Sequence, residues 1–307
     1  MSPLFVFIYC LLFVIVLILL WASRKNNLAK RILIYHLLVV GAFFMVLPFY
    51  WMVMTSFKSF NEARQPTWFP SEMHPENFKL AWFYTAGTKY GDPPRPLTFG
   101  RYFYVSILTG VLSTLGTLIT AALAAYAFAK MRFIGKGMFF YIVLATMMVP
   151  GQVLLIPDFI ILQSLQWLDK FEALIIPWLA SVFCIFLMRQ FFITIPDDLW
   201  DAAQIDGSGR FRFLWTIIVP LSKPVMITSA IFTFLMSWNS LLWPLIVTNS
   251  PEMRTLMVGL QNFNQEAGSD FHLLMAASTM AVLPIVILFF ILQRFFIAGI
   301  ARTGLKG

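Results

Sequence analysis

Long apolar runs are the feature that most limits what this 307-residue chain can fold into. A helix that crosses a bilayer needs about 20 mostly apolar residues, because the hydrocarbon offers no water to satisfy its backbone. Hydrophobic residues make up 60% of the chain and charged residues only 12%, unlike a soluble domain. The chain is therefore predicted to be an all-α integral membrane protein. Seven stretches qualify as spans, at about 3–22, 33–56, 103–129, 137–157, 173–193, 225–247 and 271–293, with breaks expected at Pro150-Gly151 and Pro177.

The distribution of basic residues predicts the orientation of these spans. Segments 23–32, 130–136, 189–224 and 294–307 together hold 14 of the 22 Lys and Arg residues but only 4 of the 14 acidic residues. Basic segments remain on the cytoplasmic side, so we place these four there. The chain is thus expected to be a multi-pass protein of the cell inner membrane, with a cytoplasmic C-terminus and an extracytoplasmic N-terminus. The net charge of +8 is then a topology signal, and no basic run with interleaved aromatics indicates nucleic-acid binding.

The first apolar run is interpreted as a retained helix rather than a cleaved signal peptide. A signal peptide carries basic residues before its apolar run and a small-residue cleavage site after it. Residues 1–7 carry no charged side chain, and the basic cluster of Arg24, Lys25, Lys30 and Arg31 follows the run.

The chain lacks groups that would let it supply transport energy by itself. The spans contain almost no ionisable side chains, which argues against proton coupling. No phosphate-binding GxxxxGK[ST] loop or nucleophile–base set occurs, so we expect no catalytic residue. The two cysteines lie far apart and the three histidines share no ligand spacing, so no metal or cofactor is expected. Sodium coupling through backbone carbonyls and a channel stay open as alternatives.

The segment 195–224 is predicted to contain a short cytoplasmic helix. Pro196 suits the first helical turn, and Asp197 and Asp198 place negative charge at the positive end of the helix dipole. Gly207 is suited to stop the helix in a left-handed conformation, which gives about 11 residues. A connector lying on the bilayer surface would show the same signals. Four residues are expected to share one face by their helical spacing, namely Leu199, Ala202, Ala203 and Asp206.

Within this segment, Asp201-Ala202-Ala203-x-x-Asp206-Gly207, followed by Pro220 and Pro224, resembles the EAA loop of binding-protein-dependent ABC importer permeases. That family usually has Glu where this chain has Asp201, and Ala where it has Ser208. The resemblance covers roughly residues 35–307, so the first helix is a departure from the usual six spans. Four more segments resemble the carbohydrate-uptake, MalG-like branch, and they are Ala125–Phe133, Phe192–Pro196, Ser237–Pro244 and Gln293–Gly307.

The resemblance implies a fold and a division of the chain. The fold is the six-helix, MetI-like core of a type I ABC importer permease, plus one extra N-terminal transmembrane helix. The implied segments are an extra helix with a basic linker at 1–32, a first core helix with its extracytoplasmic loop at 33–102, the permease core with the coupling loop 195–224 at 103–298, and a cytoplasmic tail at 299–307.

The resemblance also implies a function in solute import. A helix at 196–207 would dock on a separate ATPase through Asp201, Ala202, Ala203, Asp206 and Gly207. ATP and Mg would be bound by that ATPase, so this chain is expected to be a transport subunit and not an enzyme. The expected partners are a second permease subunit, an ATPase dimer, an extracytoplasmic solute-binding protein and membrane lipid. The expected solute is a carbohydrate or related polyol, with glycerol-phosphate compounds as the alternative.

Three further predictions concern the solute and the outer surface. Trp238 and Asn239 offer aromatic stacking and amide hydrogen bonds to a solute path, although helix packing explains both residues equally well. The polar residues Asn262, Asn264 and Gln265 are candidates for contact with the binding protein, or else belong to a solvated connector. The loop 57–102, rich in proline and aromatics, is expected to form an ordered extracytoplasmic cap.

Overall fold

A computed structural model describes residues 27–83, 99–261, 263 and 270–303, and every regular element in those ranges is helical. The chain divides after His74 into two compact units. The predicted first span at 3–22 lies outside the described residues.

The first unit contains one long helix, α1 (Asn27–Ser56), which confirms the predicted span at 33–56. After it the chain folds back on itself, and the His74 amide donates to the Phe57 carbonyl at 2.9 Å. Lys58 is fully buried there, with its Nζ 4.5 Å from the Trp51 ring and 2.5 Å from the Thr67 carbonyl oxygen. Residues 57–74 are thus ordered by their own contacts, whereas residues 84–98 of the predicted cap lie outside the described residues.

The second unit is a bundle arranged around α3 (Phe99–Lys130), which packs against the helices Val182–Ile193 and Lys223–Trp238. The helices of this unit are α2 (Glu76–Trp82), α3, α4 (Lys136–Ala145), α5 (Gly151–Ser164), α6 (Phe171–Ile175), α7 (Val182–Ile193), α8 (Asp198–Ile205), α9 (Arg210–Phe213), α10 (Val219–Leu221), α11 (Lys223–Trp238), α12 (Leu242–Val247), α13 (Leu256–Gln261) and α14 (Phe271–Thr303), with a π-helical turn at Leu214–Ile218.

The predicted span 137–157 is not one helix, because the chain turns at its proline. The axes of Lys136–Met148 and Gly151–Ser164 differ by 96°. Pro150 has no N–H to donate and adopts an extended ψ of 126°, so the first helix cannot continue through it. The predicted span 225–247 is also divided, since α11 ends at Trp238 and α12 begins at Leu242.

The break at Pro177 shows how a membrane helix can be interrupted without leaving polar groups unsatisfied. The segments Phe171–Trp178 and Val182–Ile193 are bent by 40°, and the bend frees carbonyl oxygens of the backbone. The Thr117 hydroxyl donates to the Trp178 carbonyl at 2.9 Å, and Thr120 donates to the Leu179 carbonyl. Hydroxyls of α3 therefore replace the hydrogen bonds that the broken helix loses.

Close packing at this break depends on a small residue in α3. A Cβ added at Gly116 would lie 2.3 Å from the Leu179 Cδ2 atom. Small residues let membrane helices approach closely in the absence of a hydrophobic driving force between them. By length and composition, three helices and three bent pairs give up to six spans in the described part of the chain.

Candidate functional site

The helix predicted in the 195–224 segment is α8 (Asp198–Ile205), and it is capped as the sequence suggested. Gly207 has a φ of +72°, and its amide donates to the Gln204 carbonyl at 3.0 Å. The Ser208 amide donates to the Ala203 carbonyl at 2.8 Å, which completes a Schellman motif. At eight residues, α8 is shorter than predicted, because Pro196 and Asp197 precede the first helical residue.

The four residues that were expected to share one face of α8 differ in their exposure. Ala203 is buried, with 5% exposure, in a cluster of the chain's own apolar side chains. Ala202 and Asp206 are exposed, and Leu199 is 37% exposed. Residues advance by about 100° around a helix, so the exposed face is centred on Asp198 and Ile205. Docking of this face on an ATPase stays a prediction.

Ile205 is a candidate docking residue that the sequence reasoning missed. Ile205 is 88% exposed, whereas Leu199, the other exposed large apolar residue of this helix, is 37% exposed. Beside it lie the exposed carboxylate of Asp201 and the exposed Ala202. The sequence signal that could have identified Ile205 is its apolar side chain on the side of the helix opposite Ala203. Asp198, Asp201, Ala202 and Ile205 are called the docking face below.

A lysine at the end of α3 holds the chain that enters α8. Lys130 Nζ lies 2.6 Å from Asp197 Oδ1 and 2.5 Å from the Ile195 carbonyl oxygen. The Lys130 side chain is 10% exposed, although the Asp197 side chain is 80% exposed. The hydrogen bond and charge of Lys130 hold the pKa of the Asp197 carboxyl below its ordinary value. Asp197 is therefore ionised at neutral pH and the tether is intact.

Aromatic contacts fix the inward side of α8. The Trp200 ring lies edge-on to Phe213, with centroids 5.1 Å apart, and the Arg210 guanidinium lies 4.4 Å from the Trp200 centroid. Phe213 is buried and also packs on Tyr126 of α3. The helix is thus held between a tether at its start and an aromatic cluster against α3.

Near the Phe99 end of α3, the loop 247–254 is held by hydrogen bonds between its backbone and Asp169. Asp169 Oδ1 accepts from the amides of Asn249 and Ser250, each at 3.0 Å, and the Asp169 amide donates to the Val247 carbonyl at 2.8 Å. Burial raises the pKa of the Asp169 carboxyl, but the hydrogen bonds from Ser250 and Asn249 and the charge of Arg254 outweigh it and lower the pKa overall.

Replacing Asp169 with alanine is expected to loosen residues 247–254. The change leaves two backbone amides without their acceptor, which costs about 1–3 kcal/mol. Hydrogen exchange of this segment should therefore accelerate about tenfold or more. Asp169→Asn is the matched control, because it keeps an acceptor oxygen and tolerates the φ of +61°. Equal exchange rates in wild type and Asp169→Ala would contradict the role of this carboxylate.

The residues predicted for the solute path lie beside a cavity but do not line it. Trp238 is 1% exposed, stacks on Phe234 with centroids 5.6 Å apart, and contacts Phe103 edge-on. The Asn239 amide donates to the Leu235 carbonyl at 2.8 Å in its own helix. The Trp238 contacts correspond to the helix-packing interpretation, whereas Asn239 is exposed and its side-chain amide bonds within its own helix. A role of either residue in a solute path stays a prediction. The predicted binding-protein contacts Asn262, Asn264 and Gln265 lie outside the described residues.

The cavity itself has a volume of about 530 Å³. It lies among α3, α7 and α11, and residues at the break between α11 and α12 also line it. Ser237 and Ser240, which flank Trp238 and Asn239 in the sequence, both line the cavity.

Comparison with known proteins gives a consistent result along most of the chain. A family model described as the binding-protein-dependent transport system inner membrane component matches residues 116–302. The chain is 35% identical to the probable ABC transporter permease protein YurM of Bacillus subtilis, across 85% of this chain and 83% of that protein. It is 34% identical to the arabinooligosaccharides transport system permease protein AraQ of Halalkalibacterium halodurans, across 88% of this chain and 96% of that protein.

Two further similarities extend this comparison. The sn-glycerol-3-phosphate transport system permease protein UgpE of Yersinia enterocolitica is 31% identical, across 91% of this chain and 99% of that protein. A chain in the crystal structure of a bacterial ABC transporter involved in the import of the acidic polysaccharide alginate superposes with a TM-score of 0.76. That match has 23% identity and covers 89% of this chain and 98% of the other, so it shows the fold.

Proposed function

Because this chain belongs to the family of binding-protein-dependent transport system inner membrane components, we propose that it carries a carbohydrate or related polyol through the inner membrane and is driven through α8. The chain is a permease subunit of an ABC importer and not an enzyme. Its family implies a second permease, an ATPase and a solute-binding protein as partners.

The substrate class is supported by the relatives. One is named for arabinooligosaccharides and another for sn-glycerol 3-phosphate, so a carbohydrate is the first candidate and a glycerol-phosphate compound is the second. The comparisons do not support a sodium-coupled secondary transporter.

One observation carries the coupling proposal, and it is the way α8 is mounted. The helix presents an exposed docking face, while Lys130 and the Trp200–Phe213 contact fix it to α3. A rigid element that contacts a partner on one side and a packed span on the other transmits a partner's movement to the bundle. The ATPase would thereby bias the bundle between states open to opposite faces. By the positive-inside distribution, α8 and the C-terminus lie on the cytoplasmic side, and the N-terminus lies outside.

The test is reconstitution of the complete transporter with its ATPase and binding protein. We expect ATP hydrolysis to be stimulated by the loaded binding protein and to accompany uptake of a saccharide. Ile205→Asp places a charge at the centre of the docking face and should lower co-purification of the ATPase about tenfold, as expected for the loss of a buried apolar anchor. Gln204→Asp adds the same charge at the flank of the same helix and should have little effect. Equal ATPase recovery from both variants would contradict docking through this face.

A further inference from the structure

The cavity of about 530 Å³ lies in the size range of small-molecule sites, and its lining has a definite chemical character. Among the described residues, no charged side chain belongs to the lining. It combines apolar and aromatic walls with hydroxyl groups from several helices. The hydroxyl-bearing lining residues are Thr109, Ser113, Ser181, Thr233, Ser237, Ser240 and Thr255.

Two of these hydroxyls are buried without a hydrogen-bond partner among the described residues. Ser113 on α3 is 1% exposed and Thr255, just before α13, is 3% exposed. Leaving a buried hydroxyl unpaired costs about 1–3 kcal/mol, so native proteins pair nearly all such groups. The other buried lining hydroxyl, Thr109, donates to the Val105 carbonyl of its own helix at 2.7 Å. Ser113 and Thr255 are therefore the buried hydroxyls of this cavity that lack a partner in the part of the chain that the structure describes.

Aromatic residues of the same lining offer flat apolar surfaces. Trp178, Phe183 and Phe232 all line the cavity and are 47%, 39% and 44% exposed, respectively. Phe183 and Phe232 meet edge-on, with ring centroids 5.5 Å apart. Partly exposed aromatic faces beside unpaired hydroxyls suit a ligand that has apolar C–H faces and hydroxyl groups around its edge.

We propose that this cavity is a binding station for an uncharged, polyhydroxylated solute, in which Ser113 and Thr255 form hydrogen bonds to solute hydroxyls. The proposal rests on the proposed function and narrows its substrate class. A phosphate or carboxylate would enter a lining that supplies no cation to compensate for its desolvation, which is strongly unfavourable. The station therefore selects against glycerol-phosphate compounds and in favour of neutral sugars and polyols.

The experiment uses the complete transporter in proteoliposomes with its binding protein. The probes are radiolabelled arabinotriose, maltotriose and sn-glycerol 3-phosphate, and uptake is measured per ATP hydrolysed. We expect wild type to import a neutral saccharide and to reject sn-glycerol 3-phosphate. Ser113→Ala and Thr255→Val should each lower saccharide uptake per ATP about 3- to 10-fold, as expected for one lost hydrogen bond to the solute.

The chain offers two matched controls for these variants. Ser229 and Thr114 also have buried hydroxyls without a partner among the described residues, yet neither lines the cavity. Ser229→Ala and Thr114→Val therefore repeat the chemical changes outside the station. Both controls should retain wild-type uptake per ATP, and all four variants should be recovered with the ATPase at wild-type amounts.

Three results would overturn the proposal. One is efficient import of sn-glycerol 3-phosphate by the wild-type transporter in preference to both saccharides. Another is unchanged saccharide uptake in Ser113→Ala and Thr255→Val. A third is reduced assembly of these two variants alone, since the cavity would then hold side chains of the partner permease. Absence of any binding-protein-dependent uptake in wild type would instead contradict the proposed function itself.

Discussion

Replacement of Gly207 by valine is expected to lower solute uptake about 5- to 30-fold while the chain still inserts into the membrane. Gly207 has a φ of +72°, where a side chain with a Cβ costs about 1–2 kcal/mol and a β-branched one is a clear outlier. The two hydrogen bonds that close α8 depend on this conformation. An isolated helix of eight residues is marginal, so α8 relies on its cap to keep the docking face in place.

A matched glycine two residues later separates backbone strain from added volume. Gly209 has a φ of −78°, and a Cβ at either position has no neighbour within 4 Å. Gly209→Val should therefore retain uptake close to wild type. The uptake of Gly207→Asn should lie between that of wild type and that of Gly207→Val, because asparagine tolerates the left-handed region. Uptake, ATP hydrolysis and membrane-inserted protein should be measured together. Similar losses in both valine variants would contradict the importance of the cap.

Replacement of Lys130 by glutamate should have the second large effect, a loss of about tenfold or more in uptake per ATP hydrolysed. The change removes charge-assisted hydrogen bonds to Asp197 and to the Ile195 carbonyl and places a second carboxylate beside that of Asp197. Such hydrogen bonds contribute about 1.5–3 kcal/mol where both groups are shielded from water. The bond to the carbonyl of buried Ile195 meets this condition, whereas Asp197 is 80% exposed, so water screens its ion pair and lowers its contribution. ATP hydrolysis should continue, but the chain entering α8 would no longer follow the end of α3.

Two other substitutions control for charge and for topology. Arg132→Glu makes the same change of charge in the same basic segment, two residues from the tether. It therefore affects membrane orientation as much as Lys130→Glu does, but should preserve coupling. Lys130→Arg keeps a donor and a positive charge, so it should recover much of the uptake. The tether would be refuted by equal coupling in Lys130→Glu and Arg132→Glu.

Local signals predicted most of the helices and the end of α8. The apolar runs located the three unbroken spans predicted at 33–56, 103–129 and 271–293. Pro150 and Pro177 marked real breaks, and Gly207 adopted the left-handed cap that its position indicated. These features depend on nearby residues alone, so the sequence displays them directly. The 96° turn at Pro150 was not predictable, because a proline excludes the straight helix without selecting the new direction.

Long-range packing decided what local signals could not. Ala203 faces inward because it packs in a cluster that includes residues of α3, α7 and α9, whereas helical spacing alone placed it with Ala202. The tether joins Lys130 to Asp197 across 67 residues of sequence. The cavity pairs Ser113 with Thr255 from distant segments, and no motif marks either residue. The aromatic Trp238 drew attention by its type, whereas in the structure it stacks on Phe234 and is not among the residues that line the cavity.

The position of α3 has a consequence for how two distant partners affect each other. Its 32 residues form one rod, about 48 Å long. Near one end, Ser106 accepts the Leu256 amide and Arg101 donates to the Glu252 carbonyl, while Lys130 holds the chain entering α8 at the other. A protein that restrains the segment around Glu252 to Leu256 and an ATPase that binds α8 would therefore act on the same helix. By thermodynamic linkage, if the protein bound at this segment changes the affinity of the ATPase for α8 by some factor, the ATPase changes the affinity of that protein by the same factor.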